Sequence, residues 1–422
     1  MLSLLWCLFG IGAGIIFGII PGAGPFLAIA SLYSILLYGT PVDILIFYVS
    51  LLITCNYMNS ITGILYGIPG DAAAAVTAHH GHRLLLKGEG HMAVSSNAVS
   101  STIGTMFAVG LFLFFLPSIY DVFKFYNSTV QVVIISVAII LLTLTSHQSL
   151  WKTILLFMFG GVLAKIGFDN LTHKTWGTFG IDYLTLGIPF SAVMIGLYVL
   201  PEVLKFHKKD FSDRQKITKF GYSPKTIPST LVGSFVGFWC GLVPGVTNIL
   251  GSYLSAGFFK SDLNKIASAE SANNSGALSS LLPLIILGIP IVTSEILIFY
   301  LVASKGFVFN LESLSLFSNV LYYIPFVVLT CLILSWVGFN YLALITEIYK
   351  KHKTLFSISI LFIITFVSLS IYPLTEWLLI CLFSLCAIGY TIRDWNTFPV
   401  LYGYFLTDLF WDNLMRVIVI YT

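Results

Sequence analysis

Residues 10–24, GIGAGIIFGIIPGAG, constrain the fold more than any other part of the chain, because they read as an interrupted membrane helix. Gly10, Gly14 and Gly18 fall four apart, so they share one helix face and let a second backbone approach closely. Pro21, Gly22, Ala23 and Gly24 then stop the helix: proline removes a donor, and glycine takes turns that other residues resist. The arrangement returns as GSFVGFWCGLVPGVT, where Gly233, Gly237, Gly241, Pro244 and Gly245 each stand 223 positions after Gly10, Gly14, Gly18, Pro21 and Gly22. Interrupted apolar segments at matching places in two halves are the sequence pointer to a solute site in a secondary transporter.

The rest of the chain suits that setting. A hydrophobic fraction of 57%, a charged fraction of 9% and a mean hydropathy of +0.94 exclude an ordinary soluble domain. A spanning helix needs ~20 mostly apolar residues, and on that rule roughly ten to twelve spans are expected. Backbone in lipid must bond within its own segment or close into a barrel. Long runs without alternation, such as 130–144 and 357–369, decide for helices. The expected fold is all-α: a polytopic membrane protein of two inverted repeats with broken helices or re-entrant hairpins. Residues 1–204 form the first repeat, 205–227 a basic cytoplasmic loop, and 228–422 the second repeat.

The loop assignment follows from charge. Between Lys205 and Lys225 seven basic residues face two acidic ones, whereas the whole chain nets only +3. Such a cluster between spans marks the cytoplasmic side and is routine for membrane proteins, so no nucleic-acid partner is inferred. The first twenty residues lack a charged leader and carry the glycine face, which reads as a permanent span and not a cleaved signal. All six cysteines lie in apolar runs without metal or disulfide spacing, as small buried hydrophobes do.

A second motif pair completes the pattern. Residues 56–71, NYMNSITGILYGIPGD, are expected to be irregular, with Asn59, Ser60 and Thr62 leading into Gly67-Ile68-Pro69. Residues 271–291 echo them, with Asn273, Asn274 and Ser275 leading into Gly288-Ile289-Pro290, an offset of 221. In hydrocarbon, irregular backbone is tolerated only in protein or beside a wet cavity. The N–H groups that open the half after a break carry roughly +0.5 of a charge, which suits a carboxylate without any lysine or arginine at membrane depth. The substrate-binding candidates are therefore Pro21, Gly22, Gly24, Asn59, Ser60, Thr62, Pro244, Gly245, Asn273, Asn274 and Ser275. The plain alternative for the amides and hydroxyls is interhelical bonding, worth only ~0.6–2 kcal/mol each. Asp71 and Glu270 are the acids nearest the breaks and the candidates for a coupling Na⁺ or proton, although Asp71 also reads as an interfacial helix-end residue. Glu295 is an acid in an apolar setting with no assigned partner. His79, His80 and His82 do not share one helix face; they suit a water-facing segment better than a metal site.

These motifs resemble the large permease subunit of the tripartite tricarboxylate transporters, the TctA family. GIIPGAGPFLA is similar to that family's glycine-rich break, and YMNSITGILYGIPGDAAAAVTAHHG to the segment running into its Pro-Gly-acid sequence. MIGLYVLPEVL before the basic loop, ESANNSGALSSLLPLIILGIP, and the ending IGYTIRDWNTFPVLYGYFLTDLFWDNLMR resemble the family as well. The chain departs at Met58 and Asn59, where the family has paired glycines, at Thr247, where the second break has another glycine, and at Ala269, Ile291 and His80. The resemblance implies a permease importing small organic anions, tricarboxylates or related carboxylates, by symport. It also implies a periplasmic solute-binding protein and a small membrane subunit as partners, the bacterial inner membrane as location, and no bound cofactor. An elevator-type movement of the part carrying the breaks is the expected mechanism. Two rivals stand beside it: a non-transporting membrane scaffold, and an intramembrane hydrolase. The second needs an HExxH, a nucleophile elbow or paired intramembrane aspartates; the first two are absent and Asp43 with Asp71 is a poor pair, so no enzyme is expected.

Overall fold

The computed structural model describes residues 2–20, 24–67, 69, 71–123, 128–145, 148–169, 174–189, 192–193, 196–197, 200–201, 220–243, 247–309, 317, 319–336, 351–352, 376–392, 395 and 397–421. Among them the chain is helical apart from one short hairpin. In chain order come α1 (Leu2–Ile19), α2 (Gly24–Leu36), α3 (Pro41–Tyr66), α4 (Ala75–Leu86), α5 (Gly90–Phe123), α6 (Ser128–Thr145) and α7 (Leu150–Lys165). The antiparallel strands β1 (Gly167–Asp169) and β2 (Lys174–Trp176) pair Gly167 with Trp176 and precede the single turn α8 (Asp182–Thr185). Then follow α9 (Ile227–Gly241), α10 (Thr247–Gly257), α11 (Asp262–Ser279), α12 (Leu281–Leu287) and α13 (Thr293–Ala303). The last are α14 (Ile324–Trp336), α15 (Glu376–Thr391) and α16 (Phe398–Tyr421).

Two compact units form, and each draws on both halves of the sequence. The first comprises Met1–Ile29, Ile35–Phe123 and Asp210–Lys353; the second comprises Ala30–Ser34, Lys124–Lys209 and Thr354–Thr422. The first is built around α3, whose residues from Asp43 to Tyr66 are all buried. Its limits are written locally. Thr40 and Asp43 form a reciprocal capping box with proline at the first helical position, and Gly67, at φ 67°, ends the helix by donating to the Gly63 carbonyl.

The glycine faces do what their spacing predicts. Gly10 of α1 lies on Ser50 and Leu51 of α3, Gly14 on Thr54 and Cys55, and Gly18 on Cys55 and Met58. In the other glycine helix, Gly233, Gly237 and Gly241 of α9 lie on Ser268, Ala272 and Gly276 of α11. There the contact is stitched by hydroxyls: Ser271, Ser275 and Ser279 donate to the carbonyls of Thr230, Ser234 and Phe238 at 2.7, 2.7 and 2.8 Å. Small residues bring the backbones close, because burial of apolar groups drives little association between helices in lipid. The second unit packs the same way, with Gly160 of α7 against Val400 and Gly403 of α16 against Phe157.

Three helical segments among the described residues, Leu2–Ile19, Pro41–Tyr66 and Gly90–Phe115, are long and apolar enough to cross a membrane. That is fewer than the ten to twelve expected. The expected spans at 184–204, 317–345 and 355–372 lie partly or wholly outside the described residues, and several others form shorter apolar helices. The basic loop also falls largely outside them. The hairpin and α8 interrupt the first half where the sequence analysis places only spans and connections.

One expectation is corrected outright. The Asn/Ser-rich stretches are not irregular: Asn59, Ser60 and Thr62 lie on α3, and Asn273, Asn274 and Ser275 on α11, all in regular buried helix. The irregularity is confined to the Gly-Ile-Pro segments, where Gly67 and Gly288 take φ 67° and 66°. Asparagine and serine have only a weak intrinsic preference against helix, and packing on every side overrides it.

Candidate functional site

The centre of the first unit holds a carboxylate. Glu270 on α11 is fully buried. Its Oε1 accepts from the Ser60 hydroxyl of α3 at 2.6 Å, and its Oε2 from the Ser101 hydroxyl of α5 at 3.3 Å. The Thr77 hydroxyl of α4 lies beside the same carboxylate, buried but short of a well-formed hydrogen bond. Among the described residues the one standing ion pair joins Arg83 to Asp262, with His80 against the same carboxylate, so none reaches Glu270. A buried charge without a counter-ion is costly, which makes an intramembrane acid a functional group by default.

Asp71 sits differently. Its two oxygens accept from Asn59 Nδ2 at 3.0 Å and from the Ala74 backbone N–H at 2.9 Å, so it ties α3 to the start of α4. Glu295 does the same on the other side of the unit. It accepts from the Ser280 hydroxyl at 2.6 Å and from the N–H groups of Ile291 and Val292 at 2.6 and 3.1 Å, at the start of α13. Ser280 follows Asn59 by 221 positions, the offset of the two Gly-Ile-Pro segments. The acid that lacked a partner in the sequence is thus the counterpart of Asp71 in what it holds.

The remaining candidates divide by what they touch. Asn273 Oδ1 accepts from Asn248 Nδ2 of α10 at 2.6 Å, and Asn274 Nδ2 donates to the Glu270 carbonyl at 3.0 Å. Each of Asn59, Asn273 and Asn274 keeps one buried side-chain atom without a hydrogen-bond partner. The hydroxyls of Thr62 and Ser275 are taken up by packing: Thr62 bonds the Met58 and Ile19 carbonyls, and Ser275 that of Ser234. Pro21, Gly22, Pro244 and Gly245 lie outside the described residues. Around them, α1 stops at Ile19 and α2 starts at Gly24, while α9 stops at Gly241 and α10 starts at Thr247. Ser60 and Glu270, 210 positions apart, are joined directly; Asn59 and Asp71 form a pair of their own.

The histidine segment is the helix α4, not a loop. At 12 residues, about 18 Å long, it is too short to cross a bilayer. Arg83 donates through Nε to Asp262 Oδ2 at 2.9 Å and through Nη2 to Oδ1, and His80 Nδ1 meets the same Oδ1 at 2.8 Å. Burial, with Lys265, His79 and Arg83 nearby, pulls His80 down to a pKa of about 4. Asp262 acts in the opposite sense, but its charge is already engaged by Arg83, so at neutral pH an uncharged His80 donates to it. His82 bonds the Ile64 carbonyl, and His79 is exposed.

Four residues at this centre escaped sequence reasoning: Thr77, Asn97, Ser101 and Asn248. Asn97, whose Oδ1 is an alternative acceptor 3.3 Å from the Ser101 hydroxyl, stands with Ser101 and Thr105 at four-residue spacing within an apolar helix. That polar stripe was available as a signal. Asn248 heads a similar stripe with Ser252 and Ser255, whereas Thr77 has no such row.

Comparison with known proteins places these features in a family. The sequence model described as the tripartite tricarboxylate transporter TctA family matches residues 4–401. An uncharacterized 52.8 kDa protein in the TAR-I ttuC' 3' region of Agrobacterium vitis is 28% identical over 308 residues, which is 68% of this chain and 61% of that protein. The chain therefore spans less than two thirds of that relative. An uncharacterized protein of Methanocaldococcus jannaschii is 28% identical over 298 residues, 68% of this chain and 70% of its own length. No solved structure matches the chain.

Proposed function

Because the chain belongs to the tripartite tricarboxylate transporter TctA family, we propose that it is the membrane permease subunit of an ion-coupled secondary transporter importing small carboxylates. It works in the bacterial inner membrane with a periplasmic solute-binding protein, which delivers the anion, and a small membrane subunit. One observation carries this reading. Two largely buried helices, α3 and α11, hold amides with unpartnered atoms, and each packs against a glycine helix that stops where a Pro-Gly break begins. Buried polar groups are normally satisfied, so amide atoms left open in a membrane protein are groups kept for a ligand.

The chemistry follows from these parts. The open Nδ2 of Asn273 and backbone N–H groups at the breaks bind carboxylate oxygens with no fixed cation to desolvate, while the open oxygens of Asn59 and Asn274 suit a cation or a donor. Asp71 and Glu270 are the acids available to a coupling Na⁺ or proton. The halves 1–204 and 228–422 act as inverted repeats, and the part bearing both breaks moves as an elevator against a scaffold. Uptake of labelled citrate, succinate and malate into proteoliposomes, with the partner proteins and under Na⁺ or pH gradients, tests the assignment. Asn273→Ala and Asn274→Ala are expected to abolish uptake without loss of folded protein; unaltered uptake removes the site. No uptake under any gradient favours a non-transporting scaffold.

A further inference from the structure

We propose that Glu270 takes up and releases the coupling proton, while Asp71 remains an ionised helix cap. This rests on the transporter reading above and deepens it by assigning the coupling ion and its residue.

The argument is one of hydrogen-bond chemistry. Asp71 is held by an amide N–H and a backbone N–H, and Glu295 by two backbone N–H groups and a hydroxyl. Nitrogen donors cannot accept, so neither gives a proton on Asp71 a partner, whereas at Glu295 the Ser280 hydroxyl can turn and accept. Glu270 instead meets hydroxyls, which donate or accept by rotating. When Glu270 is a carboxylate, Ser60 and Ser101 donate to it; when it is an acid, its O–H is accepted by a turned hydroxyl, and the spare Thr77 oxygen lies alongside. Glu270, unlike Asp71, is thus satisfied by its partners in both protonation states. The short Ser60–Glu270 contact of 2.6 Å closes the gap between those two oxygens, which is the spacing of a shared hydrogen and too tight for two ligands spread around a metal ion.

Glu270 is also singular in the chain. The offset of 221 that relates Asn59 to Ser280 relates Glu270 to Val49, so the other half has no equivalent acid. It lies one helical turn from Asn274, whose amide donates to its carbonyl and keeps a free oxygen for a ligand. The titratable groups facing it are Tyr57 of α3, bonded to Thr102, and Asp71, bonded to Asn59. On α4, His80 and Arg83 are committed to Asp262. On α5, His91 is about 15 Å of helix away from Ser101, and α9 and α10 carry no Asp, Glu, Lys, Arg or His. The proton comes from water on one side of the membrane, binds a carboxylate oxygen, and leaves to water on the other.

Infrared titration of the full chain in lipid tests this without a substrate. A carbonyl band of a protonated carboxylic acid is expected to appear and vanish with pH, to lose intensity in Glu270→Gln, and to be unchanged in Asp71→Asn. With the partner subunits present, labelled citrate should accumulate under an inward pH gradient without Na⁺, and Glu270→Gln should lose that accumulation. A titrating band unchanged in Glu270→Gln overturns the proposal, as does accumulation driven by a Na⁺ gradient at equal pH. No uptake under either gradient overturns the transporter reading, and the infrared band still decides whether Glu270 exchanges a proton.

Discussion

Thr247 and Gly24, 223 positions apart, each open a helix at φ 57°. The left-handed conformation is open to glycine but strained for a β-branched residue. The first break therefore forms without backbone strain at this position, whereas the second stores it beside Asn248, the residue that holds Asn273. Thr247→Gly is expected to raise stability by about 1 kcal/mol. Gly24→Ala should lower it by ~1–2 kcal/mol through the backbone alone, since an added Cβ there meets nothing within 4 Å. Thermal unfolding of the purified variants reads both effects; equal behaviour of the two positions would remove the strain argument.

The seam between α1 and α3 makes a sharper contrast. A Cβ on Gly14 falls 2.6 Å from Thr54 Cβ and 3.0 Å from the Leu51 carbonyl, whereas one on Gly12 meets nothing within 4 Å. Gly14→Ala is expected to cost ~1–3 kcal/mol by forcing the helices apart. Gly12→Ala, in helix interior, should be neutral or gain up to about 1 kcal/mol. Monodisperse yield and melting temperature in detergent distinguish them.

Asn248 gives a test of the substrate site that sequence reasoning did not offer. Asn248→Ala removes the hydrogen bond to Asn273 and frees that amide to turn. Uptake should fall as it does for Asn273→Ala, while Ser275→Ala costs only ~0.6–2 kcal/mol of stability through its bond to α9. Full uptake in Asn248→Ala would detach α10 from the site.

Acid should loosen the joint between α4 and α11. His80 is held at about 4 in the folded protein against an ordinary 6.5, so the unfolded chain binds more protons between those values. Stability from His80 is complete above pH 6.5 and is lost as pH falls toward 4. His80→Gln should flatten that part of the profile, which a pH series of melting temperatures measures.

How much could be read in advance depends on the range of the interaction. The helical membrane class, the glycine faces, the stops around Pro21 and Pro244 and the Gly-Ile-Pro turns follow from composition, four-residue spacing and local backbone preference. Each of these is set within a few residues. The sequence therefore determined which faces pack closely and where helices end. It did not determine that the Asn/Ser stretches are regular helix, because burial on all sides outweighs a weak local preference. Nor could it separate three acids. Asp71 and Glu295 close on partners no more than 15 residues away, whereas Glu270 became a carboxylate among hydroxyls only when α3, α5 and α11 met. Ser60 and Ser101 stand 210 and 169 positions from Glu270. The protonation chemistry of a buried acid depends on which donors surround it, and in this protein folding alone brings those donors to it.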